Sequence, residues 1–195
     1  MKRREFVLLL GGAISAARAL RAQQRAMPVV GFLGVSSPGP TAPYVAAFEQ
    51  GLSEAGWVEG KNVAIEFRWA EALYDRLPAL AADLVGRKVD VIAAFGGIPA
   101  AVAAKNATST IPIVFTVGDP VELGLIASLA RPGGNLTGVS TMAPELISKR
   151  LELISELVPQ AGVIALLVNP NNSNTERIIG DMQEARTRRA CSSPS

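Results

Sequence analysis

The residues able to do chemistry in this chain are polar groups gathered in a few short loops. Ser36 and Ser37 stand in the first, Gly96 and Gly97 in the second, Thr116, Gly118 and Asp119 in the third, and Asn169 and Asn171 in the last. Hydroxyls, amides and backbone N–H groups can hold a polar solute without moving its protons. Asp119 adds one carboxylate, an acceptor for an ammonium or hydroxyl group. Gly96-Gly97 follows an apolar run and precedes a helical pattern, so its amides can face an anion. It is not GxGxxG, and no Walker lysine follows. Each group also has a plain structural reading. Asp119 suits a helix cap or an Asx turn before Pro120, Gly96-Gly97 a tight turn, Thr116 β-branched packing, and the asparagines a turn.

The residue types that are missing narrow the function further. Histidine is absent and Cys191 is the one cysteine among 195 residues. Ser-His-Asp and Cys-His nucleophiles, His-ligated metals, disulfide frameworks and CxxC redox motifs are therefore excluded. No candidate loop holds an acid–base pair, so catalytic sites, metals and cofactors are not expected. Aromatic residues are 5%, too few for a nucleic-acid stacking platform.

Charge along the chain is uneven. Residues 1–22 carry Lys2, Arg3, Arg4, Arg18 and Arg21 against Glu5, a net of +4. Residues 23–185 hold eleven basic and sixteen acidic residues, a net of −5. Arg186, Arg188 and Arg189 follow without an acid. The pI near 8.9 is thus set by the two ends and is no sign of nucleic-acid binding.

These loops must be positioned by a layered fold. Apolar runs at Val29–Leu33, Val63–Phe67, Val89–Phe95, Ile113–Val117 and Leu136–Ser140 read as strands, with Val63–Phe67 near a sheet edge. Amphipathic spacing places helices at Tyr44–Ala55, Leu77–Val85, Pro99–Ala107 and, briefly, Leu123–Ala130. A second, smaller group follows: a helix over Glu145–Leu157, a strand over Val163–Val168 and a helix from Thr175 to Ala185. Strict β–α alternation with near-continuous apolar strands predicts an α/β fold, a parallel sheet covered on both faces. Ligands of such sheets lie outside the carboxyl ends of the strands, where the loops above converge.

The opening residues read as an address. A basic start is followed by an apolar run from Phe6 to Ala17, about 12 residues and too short to span a membrane. Small residues at Ala17 and Ala19 suit cleavage, so residues 1–22 are expected to be a removed export signal. The order Arg3-Arg4-Glu5-Phe6-Val7-Leu8 looks like a twin-arginine signal. The mature chain is then expected outside the inner membrane, in the periplasm, without stable membrane insertion.

The stretch IPIVFTVGDPVELGLIASLARPGGNLTGVS, Ile111 to Ser140, resembles bacterial ABC-transporter substrate-binding proteins of the tryptophan/tyrosine-uptake type. The resemblance extends upstream from Trp69 to Thr110 and downstream from Ile147 to Asn172, and MKRREFVLLLGGA looks like the start of exported members. It implies a type I periplasmic-binding-protein fold, two Rossmann-like lobes joined by a hinge with the ligand between them. Lobe one would span 27–141 and a partial lobe two 142–185. The resemblance also implies the partners, a small solute, with an amino acid as one candidate, and a membrane permease. Loops at Ser36, Gly96-Gly97, Thr116–Asp119 and Asn169–Asn172 match positions where such proteins form the cleft.

Family members run on well past this length, so the chain reads as C-terminally truncated, with residues 186–195 an irregular, aberrant tail. Uncovered apolar faces and weakened binding are the expectation. Two other readings stand beside the solute receptor. One is a sensing domain for a membrane signalling partner. The other is an enzyme on the same fold, although racemases of related two-lobed build need paired cysteines.

Overall fold

The computed structural model describes residues 27–141, 146–172 and 174–192. The export-signal reading of residues 1–22 lies outside the described residues. Five apolar runs form strands: β1 (Val29–Gly34), β2 (Ala64–Trp69), β3 (Val91–Phe95), β4 (Ile113–Gly118) and β5 (Leu136–Thr141). They lie in the order β2-β1-β3-β4-β5, every pair parallel. Parallel neighbours need crossover connections. Helices α1 (Pro38–Glu54), α2 (Leu77–Gly86) and α3 (Ile98–Ala107) supply three of them. The run expected near an edge is the edge strand β2. The α/β parallel sheet flanked by helices is as expected.

The two faces of the sheet are covered differently. On one, Leu33, Ile92, Ala94, Ile113, Phe115, Val117 and Leu136 pack against α2 and α3 through Leu77, Ala81, Leu84, Ala101 and Ala104. On the other, Phe32 is the centre of an aromatic cluster. Its ring lies 5.5 Å from Phe48 of α1, edge-on, and 5.2–5.6 Å from Phe67, Trp69 and Phe95. Beyond the reach of α1 this second face is bare, with Val114 44% and Val139 62% exposed. Arg68 of β2 ties the sheet to α2, its Nε donating to Asp83 at 2.6 Å, and Arg87 Nε donates to the same carboxylate at 3.0 Å. These hydrogen bonds hold Asp83 below the usual carboxylate range. Their contribution is present above that range and is lost as pH falls through the lowered value.

Several elements depart from the sequence reading, each for a physical reason. The first helix begins at Pro38, six residues before Tyr44, so most of the loop expected at Gly34–Pro43 is helical. Ser37 is its extended N-cap and Pro38 opens it, as suits a residue with fixed φ and no N–H. The helix expected over Leu123–Ala130 is instead a chain of turns, with Gly124 left-handed at φ 65°. Leu125 and Ile126 are still buried, and Lys105 Nζ donates to the carbonyls of Gly124 and Leu125 at 2.9 and 3.1 Å.

In the second group, α4 (Ile147–Leu157) and α5 (Thr175–Ser192) pack on one another. The strand expected over Val163–Val168 does not form. Among the described residues nothing pairs with that segment, and Val163 and Leu167 are 86% and 98% exposed. An apolar run becomes a strand only beside a ladder partner. Helix α5 continues through 186–192, where an irregular tail was expected.

Gly138 of β5 sits opposite Phe115, and a Cβ there would stand 2.1 Å from the Phe115 carbonyl oxygen. Gly138→Ala is therefore expected to destabilise the chain by about 1–3 kcal/mol or more, through forced displacement of β4 or β5. The neighbouring Val139→Thr, on the exposed face, should stay within about 0.5 kcal/mol. Urea unfolding of the two variants checks this, and equal effects would contradict it.

Candidate functional site

Because all five strands run the same way, the loops that follow them collect at one edge. Across from that edge lie α4, α5 and the segment between them. A cavity of ≈ 370 Å³ opens there. Gly97 and Ile98 enter it from the β3–α3 turn and Gly118 from the end of β4, while Ile147, Leu151 and Ile154 of α4 form an apolar wall with Ile164, Leu166, Ile178 and Met182. Its polar side chains are Thr141 at the end of β5, Arg150, Asn172, Asn174, Arg177 and Asp181. Such a lining suits a small molecule with an apolar body and a few polar atoms.

The β3–α3 turn is shaped by its glycines. Gly96 has φ 98° and Gly97 φ 105° with ψ −165°, a region open essentially to glycine alone. Gly97 is the N-cap of α3, and Pro99 occupies the first turn, so the free N–H groups of the helix start point out of the sheet edge. At Gly96 a Cβ would meet Val35 Cβ at 2.8 Å, whereas at Gly97 the nearest atom is 4.0 Å away.

Asp119 is also left-handed, at φ 48°. Its Oδ1 accepts the Glu122 backbone N–H, three residues on, at 3.2 Å, a capping bond and not an Asx turn, and its Oδ2 accepts from Arg177 Nη2 at 3.2 Å. Arg177 Nη2 lies 2.7 Å from Glu122 Oε2 as well, and Nε is 3.8 Å from Asp181. A hydrogen bond with Glu122, together with Arg177, lowers the Asp119 carboxyl, and the same contact raises Glu122. One carboxylate of the pair thus stays ionised for the guanidinium while the other holds its proton to higher pH.

The structure distributes the sequence candidates unevenly. Gly97 and Gly118 line the cavity, and Asp119 touches it through Arg177. Gly96 shapes the turn beside it. Ser36 and Ser37 lie at the end of β1, where Ser37 caps α1 and its carbonyl accepts from Thr41 Oγ1, and the Ser36 carbonyl accepts from the Glu71 N–H. Thr116 is exposed on the α1 side of the sheet, opposite Val139. Asn169 Nδ2 donates to Tyr74 Oη at 3.4 Å, and its Oδ1 accepts the Asn171 N–H at 3.0 Å, so both asparagines serve the loop before α5. Sequence reasoning passed over Arg150, Arg177 and Asp181, whereas Asn172 lies in the Asn169–Asn172 loop that the resemblance put at the cleft. A signal was present for one of them: Arg177 is a cation in the first turn of a helix, against the dipole.

The family described as ABC transporter substrate binding protein matches residues 35–188. This chain belongs to that family. It is similar to a tyrosine-binding protein of Clostridioides difficile (strain R20291), 39% identical over 130 residues, which is 66% of this chain and 37% of that protein. A conserved domain protein from Vibrio cholerae superposes with a TM-score of 0.75 at 30% identity, over 84% of this chain and 55% of the other. The ABC domain from Streptococcus pneumoniae solved in complex with L-Trp gives 0.72 at 25% identity, over the same shares. The chain thus spans about half the length of these solved relatives and a little over a third of the curated one. ABC substrate-binding proteins hold solutes outside the cytoplasm and are not enzymes. Among the described residues no helix is long and apolar enough to cross a membrane.

Gly97→Ala is expected to cost about 1–3 kcal/mol through backbone strain alone. Gly96→Ala meets the same strain and must also displace Val35, so it should unfold at clearly lower urea. Equal midpoints for the two variants would show that Val35 gives way freely.

Proposed function

We propose that this chain is the solute-capturing component of an ABC importer, that its solute is an amino acid, and that the solute sits in the cavity between the strand ends and α4–α5. The observation that supports this most is the lining itself. Backbone N–H groups, two arginines and asparagines share the lining with apolar side chains, which fits a zwitterion with an apolar side chain. The relatives' own descriptions, tyrosine-binding and L-Trp-bound, point to the same solute class.

In this reading residues 27–141 and 142–185 are the two walls of a cleft. Solute contacts made from both walls favour the closed arrangement, and the permease recognises that arrangement. Gly97, Gly118 and the Asp119 loop act from the first wall, and the Asn169–Asn174 loop from the second. Residues 1–22 deliver the chain to the periplasm through the twin-arginine route.

Thermal unfolding of the purified chain with each common amino acid tests the solute class. An aromatic amino acid at about 100 times its Kd should add about 2.7 kcal/mol of stability. No rise with any amino acid would remove the reading. Export is tested apart from binding by fusing residues 1–22 to a reporter. Replacing Arg3 and Arg4 together by lysine should hold the reporter in the cytoplasm, and undiminished export would point to the general secretory route instead.

A further inference from the structure

We infer that Arg177 is the residue that binds the solute's carboxylate, an inference that rests on the amino-acid reading above. Arg177 lines the cavity from the first turn of α5. Its Nη2 is engaged by Asp119 and Glu122 at 3.2 and 2.7 Å. Its Nη1 is closed off from solvent and has no hydrogen-bond partner. A guanidinium edge left unsatisfied in a buried place is unfavourable, and a carboxylate is the acceptor that matches its planar donors best. The same wall holds a matching orphan. Asn174 Oδ1 is also buried without a partner, an acceptor suited to an ammonium group. An unpaired donor on a cation and an unpaired acceptor, three residues apart beside one cavity, are the two halves of a site for an α-amino acid head.

Two further features favour Arg177 over Arg150, the other cation in the lining. Asp119 and Glu122 hold the Arg177 guanidinium in place, whereas Arg150 is exposed on α4. A cation in a first helical turn works against the helix dipole, so this position is unfavourable to α5 unless anions meet it. The start of α3, with Gly97 and Ile98 in the lining, turns free N–H groups toward the same space and reinforces its preference for an anion. A carboxylate that engages Arg177 shares the guanidinium that Asp119 and Glu122 hold, so solute binding and those ion pairs draw on one group.

Calorimetric titration of the chain with L-tryptophan, L-tryptophanamide and indole-3-propionate tests this, with L-tyrosine and its amide as a second series. The unsubstituted chain should bind each amino acid roughly ten- to a hundredfold more tightly than its amide. Arg177→Gln should bring the amino acid down to the affinity of the amide and leave the amide little changed. Indole-3-propionate should lose affinity in the same variant. Equal binding of acid and amide by the unsubstituted chain overturns the inference with no variant needed. So does an equal loss of both in Arg177→Gln, or loss of discrimination in Arg150→Gln alone. Binding of none of the five probes by the unsubstituted chain overturns both this inference and the amino-acid reading.

Discussion

The constraint on which the rest depends is the common direction of the five strands. A parallel ladder sends every strand's carboxyl end to one edge, so each β–α turn opens on the same side. The residues that form the near wall of the cavity, Gly97–Ile98, Gly118 and Thr141, stand at the ends of the adjacent strands β3, β4 and β5. Their spacing is therefore set by the ladder and not by the loops. Direction alone does not give a usable turn, however. β3 passes into α3 through two residues, and two consecutive glycines with positive φ are what allow so short a reversal. Close packing behind the edge also relies on missing side chains, since Gly34 lies under the Trp69 ring and Gly138 under Phe115.

The central strands were legible in the sequence because burial writes itself as near-continuous apolar runs, as at Val29–Leu33, Val89–Phe95 and Ile113–Val117. The edge strand β2 showed instead as Val63, Ile65 and Phe67 alternating with other residues. The helices were legible where an apolar stripe meets the core, as at Leu77, Ala81 and Leu84. Their starts were less so, because Pro38 and Pro40 suggest a loop when they stand in fact in a first turn. Two apolar segments misled for opposite reasons. Leu123–Ala130 has the spacing of a helix, but Gly124 takes a left-handed turn and the burial of Leu125 and Ile126 is met without helical bonds. Val163–Val168 has the composition of a buried strand, and composition cannot supply the neighbour that makes one.

The candidate site was legible by half. Loops that end strands can be named from pattern, which placed Gly97, Gly118 and the neighbourhood of Asp119 correctly at the sheet edge. The far wall could not be read, because which face of α4 and α5 turns toward that edge is a tertiary fact. Arg150, Arg177 and Asp181 look in sequence like ordinary solvated charges on helices. The lining joins glycine amides and asparagines with Arg150, Arg177 and Asp181, groups that hold charge in place.

The character of the contacts across the cavity bears on how such a site works. The first unit is held internally by an apolar core, from Leu33 and Ile92 to Phe115 and Val117. Named contacts between that unit and α5 with its preceding loop are polar: Arg177 with Asp119 and Glu122, and Asn169 with Tyr74. Partly exposed ion pairs and single hydrogen bonds are each worth on the order of 1 kcal/mol or less, whereas a shared apolar core is many times stronger. A wall attached in this way is held to the first unit far more weakly than that unit is held together by its own core. Arg177 sits at that attachment. It is near enough to the cavity to answer a solute, and it carries the ion pairs that join the two sides.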